Sequence, residues 1–182
     1  MSNAGSGAPS SEFERMVLPH LEAMVRLARF LLRGKRADAD DLVQDAVLRA
    51  FEAFPRFQPG TNFRAWLFRI LRNAYVDLLR RKGRQIELAE PDAGLQENSR
   101  AIEEFRAEAV RQRTEADLEA ALADLPAEIK TALLLVDGEG MRYDEVAEIM
   151  DCPIGTVRSR LHRGRRLLRQ RLVEIWQGRT VG

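Results

Sequence analysis

Apolar residues recur at three- and four-residue steps from Phe13 to Leu78 and again from Ile129 to Leu172, and nowhere does a run alternate apolar with polar. The first pattern is one face of an α-helix, and without the second there is no half-buried strand, so the fold class is expected to be all-α. Phe13, Val17, Leu21, Met24, Leu27, Ala28 and Leu31 form a first face, broken near its start by Pro19 and ended by Gly34. Asp38 or Asp40 can cap a second helix with Leu42, Val43, Ala46, Val47, Ala50, Phe51 and Phe54 inward. After a loop at Pro55 and Pro59-Gly60, a third helix from about Thr61 to Arg81 buries Phe63, Trp66, Leu67, Ile70, Leu71, Ala74 and Leu78. Phe57 in the loop, and Phe68 and Tyr75 off the stripe, are candidates to stack on unpaired bases.

These helices make a first lobe over residues 12–84, and a tether over 85–113, with Pro91 and Gly94, follows it. The stretch 100–125 can be helical in a charged, weakly amphipathic way. A second lobe is expected over 114–176: a helix restarting at Leu125-Pro126 and ended by Gly138 and Gly140, a brief helix Tyr143 to Met150, a tight turn at Asp151-Cys152-Pro153, and a longer helix from Ile154 to Ile175. Residues 1–11 and 177–182 are read as tails, the first disordered. A chain of 182 residues, 45% hydrophobic and 31% charged, has room for two small globular lobes.

Several classes are excluded early. Cys152 is the sole cysteine and His20 and His162 the only histidines, so no disulfide, cysteine-cluster zinc site or histidine-built metal centre is expected, and no cofactor. The acids pair with no histidine, nucleophile or glycine-rich phosphate cradle in a recognisable spacing, which argues against an enzyme. No apolar run approaches the roughly 20 residues of a membrane span, and Met1 to Ser11 lacks the basic-then-apolar layout of a signal peptide. A cytoplasmic location without direct membrane contact is expected.

The formal net charge of +1 conceals strong ordering. Between Arg64 and Arg84 seven cations oppose one acid; between Gln85 and Leu125 eleven acids oppose four arginines; between Pro153 and Gly182 eight arginines oppose one acid. Two cationic blocks around an anionic connector fit a polyanion contacted at two places. A short helix, tight turn and arginine-rich second helix have the layout of a helix-turn-helix, whose second helix enters the major groove. Val157, Leu161, Leu167, Leu168 and Leu172 can hold that helix on the lobe, which leaves Thr156, Arg158, Ser159, Arg160, His162 and Arg163 to divide among bases, phosphates and packing. Arginine pairs bidentately with guanine, so Arg158 and Arg160 are assigned to bases and Ser159, Arg163, Arg165 and Arg166 to phosphate. In the third helix Arg69, Arg72, Asn73, Val76 and Arg80 form a face suited to a phosphate backbone. In the second, Asp41, Gln44, Asp45, Leu48 and Glu52 form a stripe that is either solvated or docks a basic protein surface.

Asp40-Asp41-Leu42-Val43-Gln44-Asp45 and the run from Phe63 through Asn73 to Arg81 resemble region 2 of extracytoplasmic-function sigma factors of the sigma-70 family. Leu125-Pro126, Tyr143 to Met150 and Pro153 to Arg163 resemble region 4 of the same family. Phe57 to Asn62, with the run Arg160 to Arg166, is most similar to the subgroup held by a redox-sensing zinc-binding anti-sigma protein. The resemblance implies a factor that binds core RNA polymerase, through its clamp helices and flap, and selects promoter DNA, with an anti-sigma factor as a further partner. It implies that Asp41, Gln44 and Asp45 grip the clamp helices, that Arg69, Arg72, Asn73 and Arg80 read and open the minus-ten element, and that the loop from Phe57 to Asn62 receives a flipped base. Thr156, Arg158, Ser159, Arg160 and Arg163 would read the minus-thirty-five element.

Two alternatives stand beside it. A sigma-like mimic would sequester an anti-sigma factor without touching DNA, but would have little reason to keep cationic readers in both lobes. A helix-turn-helix repressor would need a dimer interface and an effector pocket, where the first lobe offers a cationic helix and an acidic stripe. A redox role for Cys152 is weaker than its reading as a small, partly buried turn residue.

Overall fold

The computed structural model describes residues 9–33, 35–83 and 115–180, and all of its regular elements are helical. The tether over 85–113 lies outside the described residues; of the helix expected over 100–125, the described part is helical at Glu115–Ala123. Helix α1 (Pro9–Val17) passes through one 3-10 turn at Leu18–His20 into α2 (Leu21–Leu31). The break falls where Pro19 removes an N–H donor. Pro9 to Ser11, read above as tail, already belong to α1; proline costs nothing in a first turn, where its N–H would lack an intrahelical partner.

Helix α3 (Arg36–Ala53) starts earlier than the expected cap, so neither Asp38 nor Asp40 caps it: Lys35 holds the N-cap position and Asp38 sits in the first turn. Helix α4 (Phe63–Arg81) is capped by Asn62, whose side-chain oxygen accepts from the Ala65 N–H at 3.0 Å. Along α4 the burial is wider than one stripe, because Phe68, Tyr75, Val76 and Leu79 are buried together with Phe63, Leu67, Leu71 and Ala74. Phe68 and Tyr75 are therefore core residues and cannot stack on bases; a helix covered on two sides has no single apolar stripe for periodicity to report.

The second cover is lobe two. It comprises α5 (Glu115–Ala123), α6 (Ala127–Leu133), a π-helical turn at Leu134–Gly138, α7 (Tyr143–Met150) and α8 (Ile154–Thr180). Helix α8 runs five residues past the expected end at Ile175 and includes most of the segment read as a tail. Helix α7 packs against α4, and buried residues of both lobes, from Phe13 to Leu161, join in one apolar cluster. Helices α6 and α8 approach so closely that a Cβ on Gly164 would meet Ile129 Cγ2 at 2.7 Å and Leu133 Cδ1 at 2.8 Å.

Candidate nucleic-acid interface

Helix α7, the Asp151-Cys152-Pro153 turn and α8 build the expected helix-turn-helix. The chain reverses at Asp151, whose φ of 50° ends α7 in the left-handed region, and the Cys152 N–H returns to the Ala147 carbonyl at 3.1 Å. Val157 and Leu161 are fully buried and anchor α8, while Arg158 is exposed near its start. Ser159 donates its hydroxyl to the Thr156 carbonyl at 3.0 Å; both residues and Arg163 are half-buried.

Arg160 departs from its expected role as a base contact. It is 7% exposed and lies 3.1 Å from the Glu128 carboxylate, with a guanidinium nitrogen 3.5 Å from Cys152 Sγ. It follows Val157 and precedes Leu161 and Gly164 on the packed side of α8, so here it faces protein. Cys152 is half-buried and burial pushes its thiol upward, against the pull of Arg160; this fits a packing residue better than a reactive thiolate.

On lobe one, Arg69, Asn73 and Arg80 are exposed along α4. Arg72 is half-buried: it donates to Glu128 Oε1 of lobe two at 2.8 Å and to Asn73 Oδ1 at 3.3 Å. Val76, placed with these cations above, is buried. Phe57 packs in an aromatic nest, its ring centroid 5.1 Å from Trp66 and 5.3 Å from Phe63. Beside it the loop turns at Gly60, whose φ is +88°. Asn62, besides capping α4, donates to Glu145 Oε1 of lobe two at 2.6 Å.

The acidic stripe of α3 is presented separately. Asp41, Gln44 and Leu48 are exposed, whereas half-buried Asp45 is tied to Arg49, which also donates to Asp77 of α4 at 2.7 Å. The Arg49 hydrogen bond holds the Asp77 carboxyl below the usual carboxylate range.

Sequence periodicity did not point to the residues that join the lobes. Arg26 makes a two-pronged bond to Glu139, both contacts at 2.9 Å, and Arg64 donates to the Glu139 carbonyl at 2.7 Å. Arg33 donates to the Ala123 carbonyl at 2.7 Å. A signal existed in the charge order, since residues 126–152, between the windows counted above, carry seven acids and two cations. Among the described residues no group of acids, histidine and cysteine could hold a metal ion, and no helix is long and apolar enough to cross a membrane.

Residues 16–85 match the family model of Sigma-70 region 2, and residues 115–168 match that of Sigma-70, region 4. The chain is 38% identical over 141 residues to the ECF RNA polymerase sigma factor EcfG of Rhodopseudomonas palustris, covering 74% of this chain and 71% of that one. The chain belongs to the ECF sigma factors of the sigma-70 family. These are transcription initiation factors of bacterial RNA polymerase. It is also 38% identical over 172 residues to the ECF RNA polymerase sigma factor SigE of Mycolicibacterium smegmatis, with 93% of this chain aligned to 65% of that relative's length. Among solved structures it resembles the sigma factor RpoE of Bartonella quintana in complex with the anti-sigma factor NepR, with a TM-score of 0.69, 30% identity, and 89% of this chain and 97% of that one covered.

Proposed function

We propose that this ECF sigma factor divides promoter recognition between its lobes and has no catalytic site of its own. Lobe one docks on the polymerase clamp through Asp41, Gln44 and Asp45, and reads and opens the minus-ten element with Arg69, Arg72, Asn73 and Arg80, the loop from Phe57 to Asn62 receiving a flipped base. Lobe two reads the minus-thirty-five element in the major groove with Thr156, Arg158, Ser159 and Arg163, joined by Arg160 once it leaves Glu128. The observation that carries this reading is the separation of charge on the surface: exposed Asp41 and Gln44 on α3, exposed Arg69, Asn73 and Arg80 on α4, and exposed Arg158 where α8 leaves the turn. An acidic face suits a basic protein surface and a cationic face suits phosphate, so one chain can bridge the two.

A partner of the anti-sigma class is part of the proposal, supported by the likeness to a sigma factor solved with NepR. The finer assignment, to the subgroup held by a redox-sensing zinc-binding anti-sigma protein, rests on Phe57 to Asn62 and Arg160 to Arg166. The working location is the cytoplasm, where polymerase is. Run-off transcription from a randomised promoter library, with core RNA polymerase plus and minus this chain, tests the reading. Enrichment of two motifs at fixed spacing is expected. Tight binding to core or to an anti-sigma protein without any transcript would overturn it in favour of the mimic.

A further inference from the structure

One arginine of α8 ties that helix to the π-helical turn that precedes α7. Arg165, expected on a phosphate together with Arg163 and Arg166, is held by a carboxylate of its own lobe: its Nε donates to Asp137 Oδ2 at 3.1 Å and its Nη2 to Asp137 Oδ1 at 3.0 Å. The two side chains are 15% and 26% exposed, so both prongs of the fork are used and mostly shielded from solvent. Burial works against the charge of Arg165, and the hydrogen bonds that link it to Asp137 and Tyr143 more than offset this, holding the guanidinium above the ordinary arginine value. We propose that Arg165 is a positioning residue for upstream promoter recognition: its fork on Asp137 fixes where α7 begins, and with it the angle at which α8 presents Arg158 to base edges. The inference rests on the minus-thirty-five role proposed above for lobe two.

The segment between α6 and α7 is weakly specified by its own backbone. Its bonds are wide, from the Glu139 N–H to the Leu134 carbonyl at 2.9 Å and from the Met141 N–H to the Leu135 carbonyl at 3.0 Å. Gly138 and Gly140 lie within it, the second at a φ of +65°. Glycine admits many backbone conformations, so these local bonds leave the entry of α7 loosely set. Asp137 belongs to this segment and Tyr143 is the first residue of α7. Arg165 therefore holds both ends of the entry from a helix 28 residues beyond Asp137. In a helix-turn-helix the first helix crosses the DNA backbone while the N-terminal residues of the second contact base edges, so the angle between the two sets the reach of Arg158. A bidentate base contact requires placement to about half an ångström, a tolerance that a loose α7 would exceed. Charge also favours positioning over phosphate contact. A guanidinium already paired at both prongs offers DNA little, and Asp137 beside it would repel a phosphate; Arg166, the next residue, is exposed and suits that role.

The test uses the full chain with core RNA polymerase on the randomised promoter library. Asp137→Asn, nearly isosteric, and Arg165→Lys, which keeps the charge but not the fork, should each reduce enrichment of the upstream motif by about tenfold and leave the downstream motif unchanged. The double variant should be no worse than either single one, because both break the same bond. Binding of the polymerase complex to a fluorescein-labelled promoter duplex should keep its wild-type salt slope in Arg165→Gln, whereas Arg166→Gln should weaken all upstream sequences alike and lower the slope by about one. Leu122→Ala, which opens a cavity elsewhere in lobe two, controls for lost stability and should retain upstream enrichment below its thermal midpoint. Arg165→Lys with wild-type selectivity, Asp137→Asn that tightens binding to every upstream sequence, or Leu122→Ala that loses selectivity as fully as Asp137→Asn overturns the proposal. Absence of an upstream motif with the wild-type chain sinks the lobe-two reading and the proposal together; a wild-type motif that the variants keep sinks the proposal alone.

Discussion

Gly164 offers a prediction whose sign is set by competing magnitudes. Replacing glycine by alanine in a helix interior normally stabilises by up to about 1 kcal/mol, through lower chain entropy in the unfolded state and better helix propensity. At Gly164 the new methyl would stand 2.7 Å from Ile129 Cγ2, 2.8 Å from Leu133 Cδ1 and 2.9 Å from Leu133 Cγ. Ordinary carbon contacts begin near ~3.5 Å, and the obstructing side chains are themselves buried at 0% and 3% exposure, with nowhere to swing. Separating α6 from α8 by several tenths of an ångström belongs to the overpacking range of about 1–3 kcal/mol, and three close carbons place it toward the upper end. Gly164→Ala should therefore destabilise lobe two by about 1–2 kcal/mol net, a fall of several degrees in its thermal midpoint. Gly155, in the first turn of the same helix, is the control: a methyl there would have nothing within 4 Å, and Gly155→Ala should be neutral or slightly stabilising. Thermal unfolding by circular dichroism, with hydrogen exchange at α6 and α8 to assign the change to lobe two, checks both. A Gly164→Ala protein as stable as the Gly155→Ala one would refute the argument that contact between α6 and α8 requires glycine.

Reversing charge with Asp41→Lys/Asp45→Lys should abolish binding to core polymerase in a pull-down while helicity is retained, since the Asp45 pair with Arg49 is partly exposed and worth at most about 1 kcal/mol. Arg158→Ala should cost on the order of 1–3 kcal/mol in the use of one preferred upstream base, read as loss of enrichment at that position; uniform weakening across upstream sequences would make Arg158 a phosphate contact. The Asp77 carboxyl is held low in the fold by its Arg49 hydrogen bond, so its contribution to stability is complete above the ordinary carboxylate pKa of about 3.9 and fades as pH falls through the lowered value. Asp77→Asn should accordingly be less stable than wild type at pH 7, the gap closing in strong acid, as acid titrations followed by circular dichroism would show. Iodoacetamide should alkylate Cys152 more slowly at neutral pH than an unhindered peptide thiol, because burial raises its pKa.

Much of the molecule is legible in the sequence because its cues are local. Helical periodicity, the breaks at Pro19 and Pro59-Gly60 and the turn between α7 and α8 are set by residues within a few positions of one another, and they suffice for an all-α chain with a helix-turn-helix. The exposed members of the candidate site, Asp41, Gln44, Arg69, Asn73, Arg80 and Arg158, follow from the same periodicity, since a polar residue opposite an apolar stripe faces water. Arg72 and Arg160 have the same local pattern, and the tertiary structure alone withdraws them. Their shared partner Glu128 lies 56 residues from Arg72, and Arg26 meets Glu139 across 113 residues, distances over which no helical spacing carries information. Phe68 and Tyr75 are core because α4 is packed both by α3 of its own lobe and by α7 from beyond the tether. The sequence thus determines which surfaces each lobe carries. Which of those surfaces face one another is decided in the assembled fold, by the apolar cluster that both lobes share and by the pairing of lobe-one donors with acids of lobe two.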